Sequence, residues 1–182
     1  MAPSHHTWSM GPGGGGQFVR EDVTVRATYL LTGAASGAPR TVTYWRLGRW
    51  LRVEQAGQVL WLDGPEGLFG QRGDGSMMPI EPDAVFRHPV QEADSLESAD
   101  HAAAWLDVRG DPAVRTLEAH PTLGVRCFVS TWPTLNLRIV ADADTGCVLD
   151  LSADGLRGPV TIRTTAFDLL PPDLSLFDAP TR

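Results

Sequence analysis

The segment Asp142-Ala143-Asp144-Thr145-Gly146 carries the spacing that comes nearest to chemistry in this chain. Two carboxylates one residue apart, followed by glycine, suggest the start of a calcium loop. Such a loop needs oxygen ligands at positions 1, 3 and 5, glycine at 6 and a bidentate glutamate at 12. Counted from Asp142, position 5 is Gly146, position 6 is Cys147 and position 12 is Ala153. Two carboxylates are missing, and the flanks alternate like strands. The segment therefore reads as the turn of a β-hairpin, with Gly146 supplying the positive φ. No metal site is expected.

The other reactive residue types are scattered. Cys127 and Cys147 are two thiols without a neighbouring histidine. A meander places them two strands apart, roughly 10 Å, too far for a disulfide. Two free, buried thiols are expected. His88 and His120 each precede proline, and His5-His6 lies in the N-terminal region. Nucleophile-elbow, zinc-helix, dinucleotide and phosphate-loop motifs are all missing. Arg72-Gly73-Asp74 and Arg109-Gly110-Asp111 read as turns. No catalytic residue and no cofactor is expected, and the chain reads as non-enzymatic.

Composition narrows the partners. The chain has 182 residues, 42% of them hydrophobic and 20% charged, with a formal charge of −7. An acidic chain without a dense basic patch is a poor partner for nucleic acid or an anionic membrane. No apolar run approaches the ~20 residues of a membrane-spanning helix. The first residues lack the basic and apolar regions of a secretory signal. The sequence as it stands reads as cytoplasmic, or as extracytoplasmic if an upstream signal is missing. Gly11 to Gly16 mark a flexible arm over 1–17, leaving 18–182 as one β domain.

The elements that would position any site have a period of two. Val23, Val25, Ala27, Tyr29 and Leu31 share one strand face. Val42 with Tyr44, and Leu51 with Val53, repeat the pattern around an Ala56-Gly57 turn. Val125, Cys127 and Val129 share a face, as do Leu135, Leu137 and Ile139, then Cys147, Leu149 and Leu151, then Val160 and Ile162. Ile139 and Leu149 are expected to face the core together. Adjacent Tyr44 and Trp45 must point to opposite faces, and Trp50 lies opposite Leu51 and Val53, so both faces have aromatics to bury. Between Glu81 and Gly110 the alternation stops. Ser98 to Asp107 reads as a helix with a serine cap. Pro171 and Pro172 keep the tail out of a central strand. The total is about nine or ten strands and one convincing helix, in an antiparallel meander.

Three stretches carry a resemblance. "VTYWRLGRWLRVEQAGQVLWLDGPEGLF", "LRIVADADTGCVLDL" and "FDLLPPDLSLFDAP" resemble the front strands, the late Asp-x-x-Thr-Gly hairpin and the closing segment of LolA-type lipoprotein carriers. Their LppX- and RseB-like relatives are similar. The resemblance covers most of Thr41 to Pro180. It implies a mainly β fold: a single antiparallel sheet curled into a half-barrel, with one or two short helices across the concave face. It also implies a cavity for a lipid, an acyl chain or another apolar ligand. Alternation then nominates Tyr29, Tyr44, Leu51, Val53, Leu137, Ile139, Leu149 and Ile162 as its lining, with Trp105 and Leu106 as lid. The rival expectation is a protein-interaction or regulatory module that uses an exposed sheet face or edge.

Overall fold

The computed structural model describes residues 20–33, 37–81, 96–155 and 158–179. The N-terminal arm, His5-His6, His88 and the first half of the block between Glu81 and Gly110 lie outside these residues.

The described chain is mainly β. One antiparallel sheet holds eleven strands and does not close. The first six are β1 (Thr24–Gly33), β2 (Gly37–Leu47), β3 (Trp50–Gln55), β4 (Gln58–Gly64), β5 (Gly67–Gln71) and β6 (Met77–Pro79). Helix α1 (Ala99–Trp105) follows. Then come β7 (Val114–Ala119), β8 (Arg126–Trp132), β9 (Leu137–Asp142), β10 (Val148–Gly155) and β11 (Gly158–Leu170). The spatial order is β6-β5-β4-β3-β2-β1-β11-β10-β9-β8-β7. It comprises two meanders rather than one, joined where β1 pairs with β11. Three-residue β6 and six-residue β7 are the two edges.

Alternation places the side chains as a half-buried sheet requires. On β1, Val25, Ala27, Tyr29 and Leu31 are buried. On β2, Tyr44 joins the main core, while Trp45 packs on the opposite face with Leu47, Trp50 and Leu62. That second face is covered by the C-terminal segment, whose 3-10 turn (Leu174–Phe177) buries Phe177 completely. The approach is close. A Cβ on Gly64 would sit 2.1 Å from the Phe177 carbonyl oxygen, so only glycine fits. The Arg52 guanidinium donates to the Leu176 carbonyl at 2.9 Å and fixes the same contact.

The Asp142 segment is a hairpin turn. The Asp142 carboxylate accepts from the Thr145 amide at 2.7 Å and from its hydroxyl at 2.6 Å. Gly146 takes φ 73°. Both Arg-Gly-Asp stretches also lie at turns. Asp74 accepts from Ser76, and the Gly110 carbonyl accepts from the Trp132 indole.

Two strand expectations are corrected. Leu135 is not on a strand. It lies in a 3-10 turn (Thr134–Asn136) with φ 59°, and β9 begins only at Leu137. Leu149 does not share a face with Ile139. The register slips between Val148 and Asp150, where one extra residue bulges out of β10. Cys147, Val148 and Leu151 stay with the main core, while Leu149 turns to the other face beside Cys127, Val129 and Val140. The bulge is pinned by polar groups. The Thr164 hydroxyl donates to the Leu149 carbonyl, and the Thr164 amide donates to Asp150. His120 bonds the other Asp150 oxygen at 3.0 Å. Its Nδ1 accepts from the Thr122 and Leu123 amides, so Nε2 carries the proton given to Asp150.

Replacing Phe177 by Ala removes the cover of the second face and is expected to cost about 3–5 kcal/mol. Urea unfolding checks this. A loss below about 1 kcal/mol would mean that the tail does not hold that face.

Candidate functional site

The main core lies on one face of the sheet and gathers nine of the ten nominated residues. Tyr29, Tyr44, Leu51, Val53, Leu137, Ile139 and Ile162 are buried in it, and Trp105 and Leu106 pack against it half-buried. Leu149 is buried in the cluster on the opposite face. The expected lid residues follow from Ser98. Its hydroxyl accepts from the His101 amide and starts α1, which turns Ala102 and Ala103 toward the sheet. Leu96 before the helix and Val108 after it are buried in the same core. These residues form a roof, and α1 meets the sheet at β9 and β10.

Part of the face beneath this roof is completely buried. Tyr29, Tyr44 and Ile139 have 0% exposure, which leaves no water-sized void against them. The two tyrosine rings meet edge to face at 6.2 Å.

Sequence reasoning missed the polar groups at the seam between roof and sheet. Arg46 donates to the Glu97 carbonyl at 3.2 Å and to the Gly48 carbonyl at 3.0 Å. Glu97 pairs with His101 at 3.3 Å. Tyr29 donates to the Val148 carbonyl at 2.6 Å and lies 3.3 Å from the Cys147 sulfur. The Cys147 thiol also reaches the Leu96 carbonyl at 3.6 Å. The signal for Arg46 was present in the alternation, since it falls on the Tyr44 face of β2. Nothing in the sequence placed Glu97 and Leu96 over it.

Electrostatics make this seam a latch rather than a reactive centre. Burial pushes the Cys147 thiol up to about 11, against the pull of Tyr29 and Arg46, so it is not a thiolate at neutral pH. Burial likewise lifts the Tyr29 phenol well above its ordinary value. The hydrogen bond from His101 lowers Glu97, and the same bond raises His101. Both thiols are free and buried, on opposite faces. Among the described residues, no group of three or more metal-ligating side chains comes together.

No protein family description matches the sequence, and no curated protein does. Among solved structures, the chain is similar to MucB at 13% identity and a TM-score of 0.38, covering 90% of this chain and 59% of that one. It is similar to MucB in a complex with MucA(peri) at 12% identity and a TM-score of 0.38, covering 87% and 54%. The chain thus spans little more than half the length of these neighbours. The fold described above rests on strand order and register, not on this likeness.

The Glu97–His101 pair has a signed pH dependence. Its raised His101 contributes stability fully present below the ordinary histidine range and lost as pH rises through the raised value. Its lowered Glu97 contributes stability present above the ordinary glutamate range and lost as pH falls through the lowered value. In NMR titrations His101 is expected to titrate above ~6.5, and Glu97→Gln to bring it back down. An unchanged titration in that variant would remove the pair as the cause.

Proposed function

We propose that this chain is a non-enzymatic binding protein that takes an acyl chain or a similar apolar molecule on the sheet face now covered by α1. The observation that supports this reading is how little the roof contributes. Among the described residues, Leu96, Ala102, Ala103 and Val108 are fully buried in it, with Trp105 and Leu106 half-buried. Burying a leucine or valine is worth roughly 1.5–3 kcal/mol, and an alanine less. A methylene is worth about 0.8 kcal/mol, so a chain of about a dozen gains about 10 kcal/mol. That matches what these described roof residues gain before their own ordering cost is counted. The face itself is apolar on β1, β2, β3, β9, β10 and β11. The polar seam would give the head group its partners, with Arg46 the cation nearest a carboxylate.

The coarser statement, a binding scaffold rather than an enzyme, is supported by how the buried polar groups are used. Asp142, His120, Asp150 and Thr164 all hold turns or the bulge. None converges with another on an open space beside a nucleophile. No helix among the described residues is long and apolar enough to cross a membrane.

The test uses Cys147 as a reporter beneath the roof. In a Cys127→Ser background, a thiol reagent is expected to label Cys147 slowly at neutral pH. Saturating cis-parinaric acid is expected to speed labelling and to raise the probe's own fluorescence. Organic extraction of the purified protein, followed by mass spectrometry, is expected to yield a bound acyl species. No probe signal, unchanged labelling and a bare native mass together would sink the lipid reading.

A further inference from the structure

Beyond the roof the main core face continues onto β8 and β7 and ends there in an uncovered ledge. Register decides which residues share it. Leu117 pairs with Phe128, and Arg115 with Ser130. Ser130 pairs in turn with Ile139 of β9, so Leu117 and Phe128 lie on the main core face. Leu117 is 53% exposed there, and Phe128 is half-buried. The Arg115 guanidinium stacks on the Phe128 ring at 4.3 Å. Thr116 and Glu118 lie on the other face, where the Thr116 hydroxyl donates to the Glu118 carboxylate.

The two edges of the sheet are guarded unequally. Strand β6 has three residues and ends in Pro79, which has no N–H to give a neighbouring strand. Strand β7 reads Val-Arg-Thr-Leu-Glu-Ala, and all six residues are exposed. Proline, lysine and bulges keep an edge from pairing, and β7 has no proline, no lysine and no break in its register with β8. The His120 amide donates to the Val125 carbonyl. Alternation from that bond turns the backbone groups of Thr116 and Glu118 toward β8 and those of Leu117 outward. Leu117 therefore presents an N–H, a C=O and an apolar side chain at one place on the edge.

We infer that β7 pairs antiparallel with β7 of a second copy of this chain, about a two-fold axis at Leu117, so that two sheets become one. Charge and register select this occupant. The strand's charged residues are Arg115 and Glu118, which sum to zero in a chain of −7. An axis at Glu118 or at Arg115 would set that charge against its own copy, which is destabilising. An axis at Thr116 would set leucine against arginine. With the axis at Leu117, leucine meets leucine, Thr116 meets Glu118, and the small Ala119 meets Arg115. Arg115 keeps its stacking on Phe128 and needs no new partner. Leu117 exchanges two backbone bonds with its copy, and the row of Phe128 and Leu117 continues into the same row of the second copy. The contact also closes. Pairing of β7 with β6 of a neighbour would repeat into a fibre, and β6 is too short and proline-ended for it, whereas β7 on β7 is a two-fold contact that ends with two copies. This surface is separate from the face beneath α1 and does not depend on the acyl reading.

Sedimentation equilibrium of the full chain tests this. One strand against one strand makes a small interface, so a dimer dissociating on the order of 100 µM is expected. Added salt is expected to tighten it, because screening removes the repulsion between two acidic copies and the contact has no ion pair to lose. Leu117→Pro removes the outward N–H, leaves the β7–β8 bonds in place and is expected to give a monomer. Leu117→Lys and Leu117→Glu each set like charges on the axis, and each alone is expected to weaken the dimer at least about tenfold. Mixed in equal amounts they set lysine against glutamate, and the mixture is expected to associate more tightly than either alone. Circular dichroism checks each fold, and the charged variants carry the test if the proline variant does not fold. A chain still monomeric at about ten times the expected concentration, an undiminished dimer in the folded variants, or a mixture no tighter than its parts would overturn the inference. So would an open-ended series of oligomers.

Discussion

The pairing of β1 with β11 is the constraint on which the rest of the molecule depends. It joins Thr24 to Leu170 and Gly33 to Val160 along the full length of β1. Without it the chain is two meanders, β1 to β6 and β7 to β11, each with a bare inner edge. With it the buried residues of both meanders become one apolar face. Tyr29 shows the dependence most directly. It sits on β1, and its hydroxyl is satisfied by the Val148 carbonyl at the start of β10. A buried phenol without that acceptor costs roughly 1–3 kcal/mol.

An open sheet must cover two faces, and this one divides the labour. The first face has its own apolar residues under α1. On the second, the C-terminal turn covers β2 to β4, and the His120–Val125 segment covers the outward-turned Leu149. The bulge at Leu149 makes the second cover possible, because it supplies that cluster with a large side chain in the middle of a strand. Its cost is a carbonyl out of the ladder, and Thr164 takes that bond. Arg26 over Trp45 and Arg49 over Trp50 finish the second face, with cations on the outer aromatic surfaces.

Much of this was legible in the sequence. A period of two is read by eye when a strand is regular, so the buried faces of β1, β3 and β8 were legible, though the ends of β1 and β8 fall up to two residues from where alternation put them. Ser98 identified the helix start because a serine ahead of good helix formers has one obvious use. Asp142 and Gly146 marked the turn because the missing carboxylates excluded the loop. Leu149 and Leu135 failed for related reasons. A bulge adds one residue, and alternation cannot show where the count slips. Leu135 lies in left-handed backbone that a leucine's identity does not announce. The seam of Arg46, Glu97 and Cys147 was not legible, because it joins three parts of the chain far apart in sequence. The uncovered ledge at β7 was not legible either, since exposure depends on where α1 comes to rest.

The β1–β11 pairing also sets a timetable. Ribosomes add about 5–20 residues per second, so the roughly 125 residues between the paired strands take on the order of ten seconds. Once β6 is made the first meander is complete in itself, and until β11 arrives the apolar strand β1 stands as a nascent edge, with β2 on one side and nothing on the other. Such a strand is a template for aggregation. The last strand made is the one that protects the first. A chain cut short before β11 therefore keeps that edge bare, because the strand that covers it is among the last to be made.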